Sequence, residues 1–176
     1  MPIKSTAFGL GLFSSLVSAK ELQIPIEKDA SVIGVSACCG DASDVNFGSR
    51  DTVDAGVYYH QADAPFGFDL SPLQASATIR KAELVLGEAF IAGNKPAQFL
   101  LSTFASDWKE DEITWKKKPT DTVLFSKPEL KDGTNVIDVT EAVRAALSVG
   151  QISLNFMLKP NAPSNIFINS KENPQG

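Results

Sequence analysis

Apolar and polar residues alternate along several short stretches of the chain, a pattern typical of β-strands that bury one face. The alternation is strict at 152–158 and recurs at 165–170, and the apolar-rich stretch 81–90 predicts a central strand. A turn at 93–96 separates that strand from another at 98–105. These stretches predict a fold built mainly from strands.

Shorter β-branched or alternating stretches predict further strands at 21–26, 31–36, 52–59, 66–70, 122–125 and 134–139. The segment 139–147 has helical spacing instead, because Val143 and Leu147 share a face and Thr140 stands at the expected N-cap. Many short strands with one short helix predict an all-β fold, an antiparallel, jelly-roll-like β-sandwich.

The first 19 residues predict an export signal rather than part of this fold. Lys4 provides a positive start, 7–17 is an apolar run, and Val17, Ser18 and Ala19 form a small-residue cleavage site. The run is about half the length that a membrane span requires. We therefore expect a signal peptide at 1–19, one domain at 20–176, and a secreted, extracellular protein that is not held in a membrane.

The composition agrees with a globular domain and narrows its partners. Of 176 residues, 43% are hydrophobic, and Phe (11) far outnumbers Trp (2) and Tyr (2), which predicts aromatic rings used mainly as core. The net charge of −5 disfavours nucleic acid and anionic membranes as partners.

The two cysteines, Cys38 and Cys39, are neighbours in the sequence. Neighbouring cysteines cannot form an ordinary disulfide, so a disulfide-stapled fold is excluded. A buried or reduced thiol pair, a vicinal disulfide and pairing with another chain remain as alternatives, of which we favour buried or reduced thiols. The oligomeric state is left open.

Four groups of residues resemble one known family, the DNRLRE-type domain grouped with carbohydrate-binding module family 96. They are 44–49 (DVNFGS), 66–71 (FGFDLS) with 81–86 (KAELVL), the tryptophan segment from Asp107 to Pro119, and 138–140 (DVT) followed by 170–172 (SKE). The resemblance runs in the right order from about Ile33 to the end of the chain. It implies a jelly-roll β-sandwich that binds polysaccharide, often an alginate-like or other acidic glycan.

Members of that family usually continue into one more strand after the segment that 170–172 resembles. The resemblance therefore implies a domain that lacks its final strand, obtains it from another chain, or replaces it with the stretch near Leu22.

The basic residues that would attract an acidic glycan are concentrated around one run. They are Lys116, Lys117 and Lys118, joined by Arg50 and Lys109. Tyr58 and His60 are further candidates for contact with the glycan. Trp108 and Trp115 allow sugar stacking. Core packing is the favoured interpretation, because Ile113 and Trp115 are two residues apart and would share one face of a strand, against which Trp108 can fold back.

A turn-rich loop carries oxygen-bearing side chains that suit a structural calcium ion. They are Asp41, Asp44, Asn46 and Asp51. The alternative is that these side chains only cap turns.

Catalysis is the weaker hypothesis. His60 is the only histidine, which excludes most triad and metal-hydrolase schemes, and Tyr58 and His60 share a strand face as a lyase pair would require. The acidic run at 107–112 is a second option, more simply explained as a solvated turn.

The sequence therefore predicts a secreted, non-catalytic polysaccharide-binding module. An extracellular structural or adhesive protein and a small polysaccharide lyase are the alternatives.

Overall fold

The computed structural model describes residues 21–73, 78–120 and 122–173. The predicted signal peptide at 1–19 lies outside the described residues. Within them, no helix is both long enough and apolar enough to cross a membrane.

Twelve strands and one helix make up the described fold. They are β1 (Ile26–Asp29), β2 (Val32–Ser36), β3 (Gly40–Asp41), β4 (Thr52–Gly56), β5 (His60–Asp69), β6 (Glu83–Gly93), β7 (Ala97–Phe104), β8 (Val123–Ser126), β9 (Glu129–Leu130), β10 (Gly133–Asp138), α1 (Thr140–Ser148), β11 (Ser153–Pro160) and β12 (Ser164–Asn169).

The strands pair in one antiparallel sheet with the order β10-β6-β12-β4-β5-β11-β7-β8. Strand β5 belongs to both halves of this sheet: its first part pairs with β2 and β4, and its second part pairs with β1 and β11. The sheet curls there, so that both halves contribute to one core. The predicted antiparallel, sandwich-like all-β fold with one short helix is confirmed.

The main core fills the space between the two halves. Phe66 from β5, Phe99 from β7 and Phe156 from β11 are almost completely buried there, together with Leu86 and Ile166 from the other half. Each such side chain contributes roughly 1.5–3 kcal/mol by leaving water. Helix α1 packs on the same core through Val143 and Ala146.

Most predicted strands are confirmed, and three local predictions are wrong. The first strand begins at Ile26, with nearly all of 21–26 outside it, and the tryptophan segment 105–119 contains no strand. Thr140 does not cap the helix, because Val139 is the N-cap residue and the Thr140 hydroxyl accepts a hydrogen bond from the Ala82 N–H.

The segment 105–119, here called the tryptophan loop, lies on the outer surface of β11 instead. Trp108 is buried against Met157, whose side chain faces away from the main core, and the Trp108 Nε1–H donates to Asn155 Oδ1 at 3.1 Å. Trp115 is half-buried on the same small cluster. The prediction that the tryptophans are core is confirmed for Trp108.

A second loop, 42–51, packs against the tryptophan loop. The Asn46 amide donates to the carbonyl oxygens of Glu110 and Ile113 at 2.7 and 2.8 Å, and its Oδ1 accepts the Gly48 N–H. Gly48 approaches so closely that an added Cβ would lie 2.2 Å from the Glu110 carbonyl oxygen. Only glycine therefore fits at this contact.

Gly48→Ala is expected to lower the free energy of unfolding by roughly 1–3 kcal/mol, because the methyl group forces the two loops apart. Gly87→Ala is the matched control, since a Cβ at Gly87 meets no atom within 4 Å. Chemical denaturation of both variants measures the difference. Equal stability of the two variants would show that the loops do not need this close contact.

Candidate glycan-binding surfaces

A row of aromatic side chains crosses the outer surface of the sheet from β6 to β5. Phe90 on β6 is 56% exposed and lies directly opposite Phe167 on β12, with ring centroids 6.2 Å apart. The His60 ring, at the start of β5, lies 6.3 Å from Phe167 at 84°. Lys95 Nζ stands 4.9 Å from the centroid of the Phe90 ring. We call Phe90, Phe167 and His60 the aromatic face.

The turn at 57–59, which precedes His60, carries two more aromatic rings. Tyr58 and Tyr59 are about half exposed and pack edge to face, with centroids 4.8 Å apart. The buried side chain of Asn165 fixes the turn, because its Oδ1 accepts the N–H groups of both tyrosines at 2.6 Å.

Sequence reasoning missed Phe90 and Phe167, although one of them left a signal. The alternation that buries Ile166 and Ile168 requires Phe167 to point to the opposite face. For Phe90, the alternation along β6 changes phase after Leu86, where the pairing with β10 shifts register and Glu88 adopts φ 45°. Such a bulge is hard to predict from the pattern of residues alone.

Tyr58 and His60 do not share a strand face as predicted. Strand β4 ends at Gly56, and the bend at 57–59 separates Tyr58 from His60, which begins β5. The His60 Nδ1 is instead hydrogen bonded to Ser36 Oγ at 3.0 Å, and Ser36 Oγ contacts Cys38 Sγ at 3.1 Å. The shared strand face on which the lyase alternative depended is therefore wrong.

The two cysteines lie at the tip of the β2–β3 hairpin as free thiols, and both are exposed. Of the favoured alternative, buried or reduced thiols, the free state agrees with the structure, whereas burial is wrong, because both side chains lie exposed in the turn that joins these short strands. Hydrogen bonds from Cys39 and Ser36 lower the pKa of Cys38.

The three lysines of the predicted run lie in different environments. Lys116 pairs with Asp44 at 2.6 Å on the surface, whereas Lys118 is largely buried, pairs with Asp63 at 2.5 Å and lies 3.0 Å from the centroid of the Trp115 ring. Burial lowers the pKa of Lys118. Lys117 is exposed and forms no ion pair with any residue of the described ranges.

A shallow groove on the tryptophan loop brings part of the predicted basic set together. Lys109, Lys117 and Lys118 line it along with Trp108 and Thr120. Lys109 pairs with Glu112 at 2.8 Å and Lys118 pairs with Asp63, so Lys117 is the groove lysine that has no ion-pair partner within the described part of the chain. Arg50 and Lys116 are not among the groove residues.

Most polar side chains of the predicted calcium loop form hydrogen bonds or ion pairs with other protein groups. Asp41 Oδ1 accepts the Ser43 N–H at 2.9 Å, Asp44 pairs with Lys116, and both polar atoms of Asn46 are engaged between the loops. Asp51 is exposed, and its carbonyl oxygen accepts the Ser170 N–H. These contacts favour the turn-capping alternative, and a calcium ion in this loop stays a prediction.

Arg50 faces a buried carboxylate rather than open solvent. Asp54, on β4, is fully buried, and its Oδ2 accepts a hydrogen bond from Arg50 Nη1 at 3.2 Å. Its Oδ1 has no hydrogen-bond partner among the described residues. Burial raises the pKa of Asp54, and the positive charge of Arg50 opposes that rise. Arg50 therefore acts in the fold, by compensating the charge of Asp54.

Arg50→Met is expected to lower the free energy of unfolding at pH 7 by roughly 1–3 kcal/mol, because it leaves Asp54 charged, buried and unpaired. The folded state then binds the Asp54 proton more tightly than the unfolded state does. Stability consequently falls as pH rises from the ordinary carboxyl pKa through the raised one.

The loss of unfolding free energy in Arg50→Met, relative to the wild type, should thus be small in acid and reach its full size at neutral pH. Chemical denaturation across this pH range measures it. The double variant Arg50→Met/Asp54→Asn is the control and should regain most of the loss. A deficit that is independent of pH would contradict this account.

Comparison with known proteins identifies the family of this chain. The family model of carbohydrate-binding module family 96 matches residues 28–176, a range that includes the aromatic face, both loops and nearly every described strand. No curated protein matches the chain. Because the family model covers nearly the whole described fold, this chain belongs to carbohydrate-binding module family 96.

Proposed function

We propose that this protein is a secreted, non-catalytic module that binds a cell-wall or matrix polysaccharide on its aromatic face. The exposure of Phe90, opposite Phe167 and beside His60, is the observation that carries the proposal. A soluble protein normally keeps such rings inside, and the apolar faces of sugar rings pack well on aromatic rings. The pattern of residues 1–19 supports export.

The aromatic face also carries the polar groups that sugar hydroxyls require. They are the second ring nitrogen of His60, the Lys95 ammonium, which also pairs with Asp132, and the hydroxyls of Tyr58 and Tyr59 on the turn before His60. A few polar groups around an apolar platform orient a ligand while the platform supplies contact area.

A non-catalytic role is supported by the state of the acidic residues on the tryptophan loop. Asp107 pairs with Lys28, Glu110 with Lys171 and Glu112 with Lys109. The neighbouring lysines lower the pKa of Asp107 and of Glu112, so neither is poised to donate a proton at neutral pH. These carboxylates act as ion-pair partners.

The groove on the tryptophan loop supports an acidic glycan as the ligand. Among the described residues Lys117 has no ion-pair partner, and flexible cations on a surface attract carboxylate or sulfate groups. The groove also contains Asp107 and Glu112, which pair with Lys28 and Lys109. We propose that this groove adds a preference for uronate-bearing polymers to the contact made by the aromatic face.

Phe90→Ala is expected to weaken polysaccharide binding about tenfold, because one stacking platform is lost. Val123→Ala, at a position on β8 that is 69% exposed, is the matched control and should bind as the wild type does. Affinity gel electrophoresis with neutral and acidic polysaccharides gives the comparison, and thermal unfolding checks both folds. Unchanged binding by Phe90→Ala would exclude the aromatic face.

Lys117→Met is expected to weaken binding to a polyuronate about two- to fivefold at low ionic strength, and the difference should shrink as salt is added. Binding to a neutral glycan should not change. Lys127→Met removes another exposed lysine, one outside the groove, and should have no such effect. An equal loss in the two variants would show that only net charge matters.

A further inference from the structure

Three carboxylates from distant parts of the chain meet beside the two loops. Asp29 ends β1, Glu110 belongs to the tryptophan loop, and Glu172 follows β12. One oxygen of each lies within 4.8 Å of the others, and this is the one such carboxylate group found among the described residues. We call these residues the carboxylate cluster.

Asp29 is the unusual member of the cluster. Its side chain is 1% exposed, and its Oδ2 accepts the Lys171 N–H at 2.9 Å. Its Oδ1 is buried with no hydrogen-bond partner. A buried charged oxygen without a partner costs free energy, so its presence points to a group that completes the site.

The charge of the cluster is only partly compensated by the protein. Lys171 Nζ binds Glu110 Oε1 at 2.8 Å and also contacts Glu172 Oε1. Three carboxylates with one ammonium leave two formal negative charges. Burial, with the charges of Glu172 and Glu110, raises the pKa of Asp29 to about 6, although its hydrogen bond from Lys171 opposes the rise.

The spacing of the oxygens suits a hard divalent cation. Ligands that surround a calcium ion at its usual oxygen distance lie at most about 4.6–5.2 Å from one another. The spread of the carboxylate cluster falls within this limit. Carboxylate oxygens are the preferred ligands of Ca²⁺, and water commonly completes its coordination.

The geometry points to a calcium site at Asp29, Glu110 and Glu172, separate from the predicted calcium loop at 41–51 and from both glycan-binding surfaces. A doubly charged ion would satisfy the orphaned Asp29 oxygen and compensate the remaining charge. It would also add a link between β1, the tryptophan loop and the segment after β12, which already contact one another here through Asp29, Glu110 and Lys171.

The test is thermal unfolding of the full chain after chelator treatment, with CaCl₂, MgCl₂ or NaCl added at matched ionic strength. Wild type should gain about 5–10 °C in Tm when Ca²⁺ exceeds its Kd a hundredfold. Calorimetric titration should give one site, with Kd in the range of about 10⁻⁴–10⁻³ M found for extracellular calcium modules.

Glu172→Gln and Asp29→Asn each remove one ligand charge while preserving shape. Both should lose at least about tenfold in Ca²⁺ affinity, which would support the site. Asp44→Asn in the 41–51 loop is the control and should keep the wild-type response. No Ca²⁺-specific shift in the wild type would overturn the proposal. So would a shift that survives in Glu172→Gln and Asp29→Asn but is lost in Asp44→Asn.

Discussion

The carboxamide of Asn46 joins two loops that have little regular hydrogen bonding of their own. It donates to two carbonyl oxygens of the tryptophan loop and accepts from its own loop, while Gly48 allows the close approach. That contact keeps the loop over Met157, where Trp108 is buried. The Lys116 N–H bond to the Ser43 carbonyl and the Lys116–Asp44 ion pair join the same two loops. Together with Asn46 they position Glu110 and the groove lysines on this side of the sheet.

The sequence predicted the strands well because period-2 alternation reflects burial directly. Segments 152–158 and 165–170 correspond to β11 and β12 with small changes at their ends. The tryptophan segment could not be predicted in the same way. Its apolar residues are buried by contact with the outer face of another strand, and tertiary contacts of that kind leave no periodic signal.

The candidate sites were predicted less well than the fold. Charge concentration suggested the run at 116–118, but the fold directs Lys116 to Asp44 and Lys118 to Asp63, leaving Lys117 exposed. Phe167 was readable from the alternation in β12, whereas Phe90 depended on a bulge. Surface function is harder to predict than core packing, because a few ion pairs or one register shift decide which side chains remain available.

The contrast between the buried Trp108 and the exposed Phe90 is the basis of the functional account. Trp108 closes a small core, while Phe90 is 56% exposed on the other half of the sheet, beside the half-buried Phe167. Chemical-shift mapping by NMR with a bound oligosaccharide tests this assignment most directly. The account predicts perturbations centred on β6, β12 and the start of β5, around the aromatic face. Perturbations confined to the tryptophan loop would contradict it.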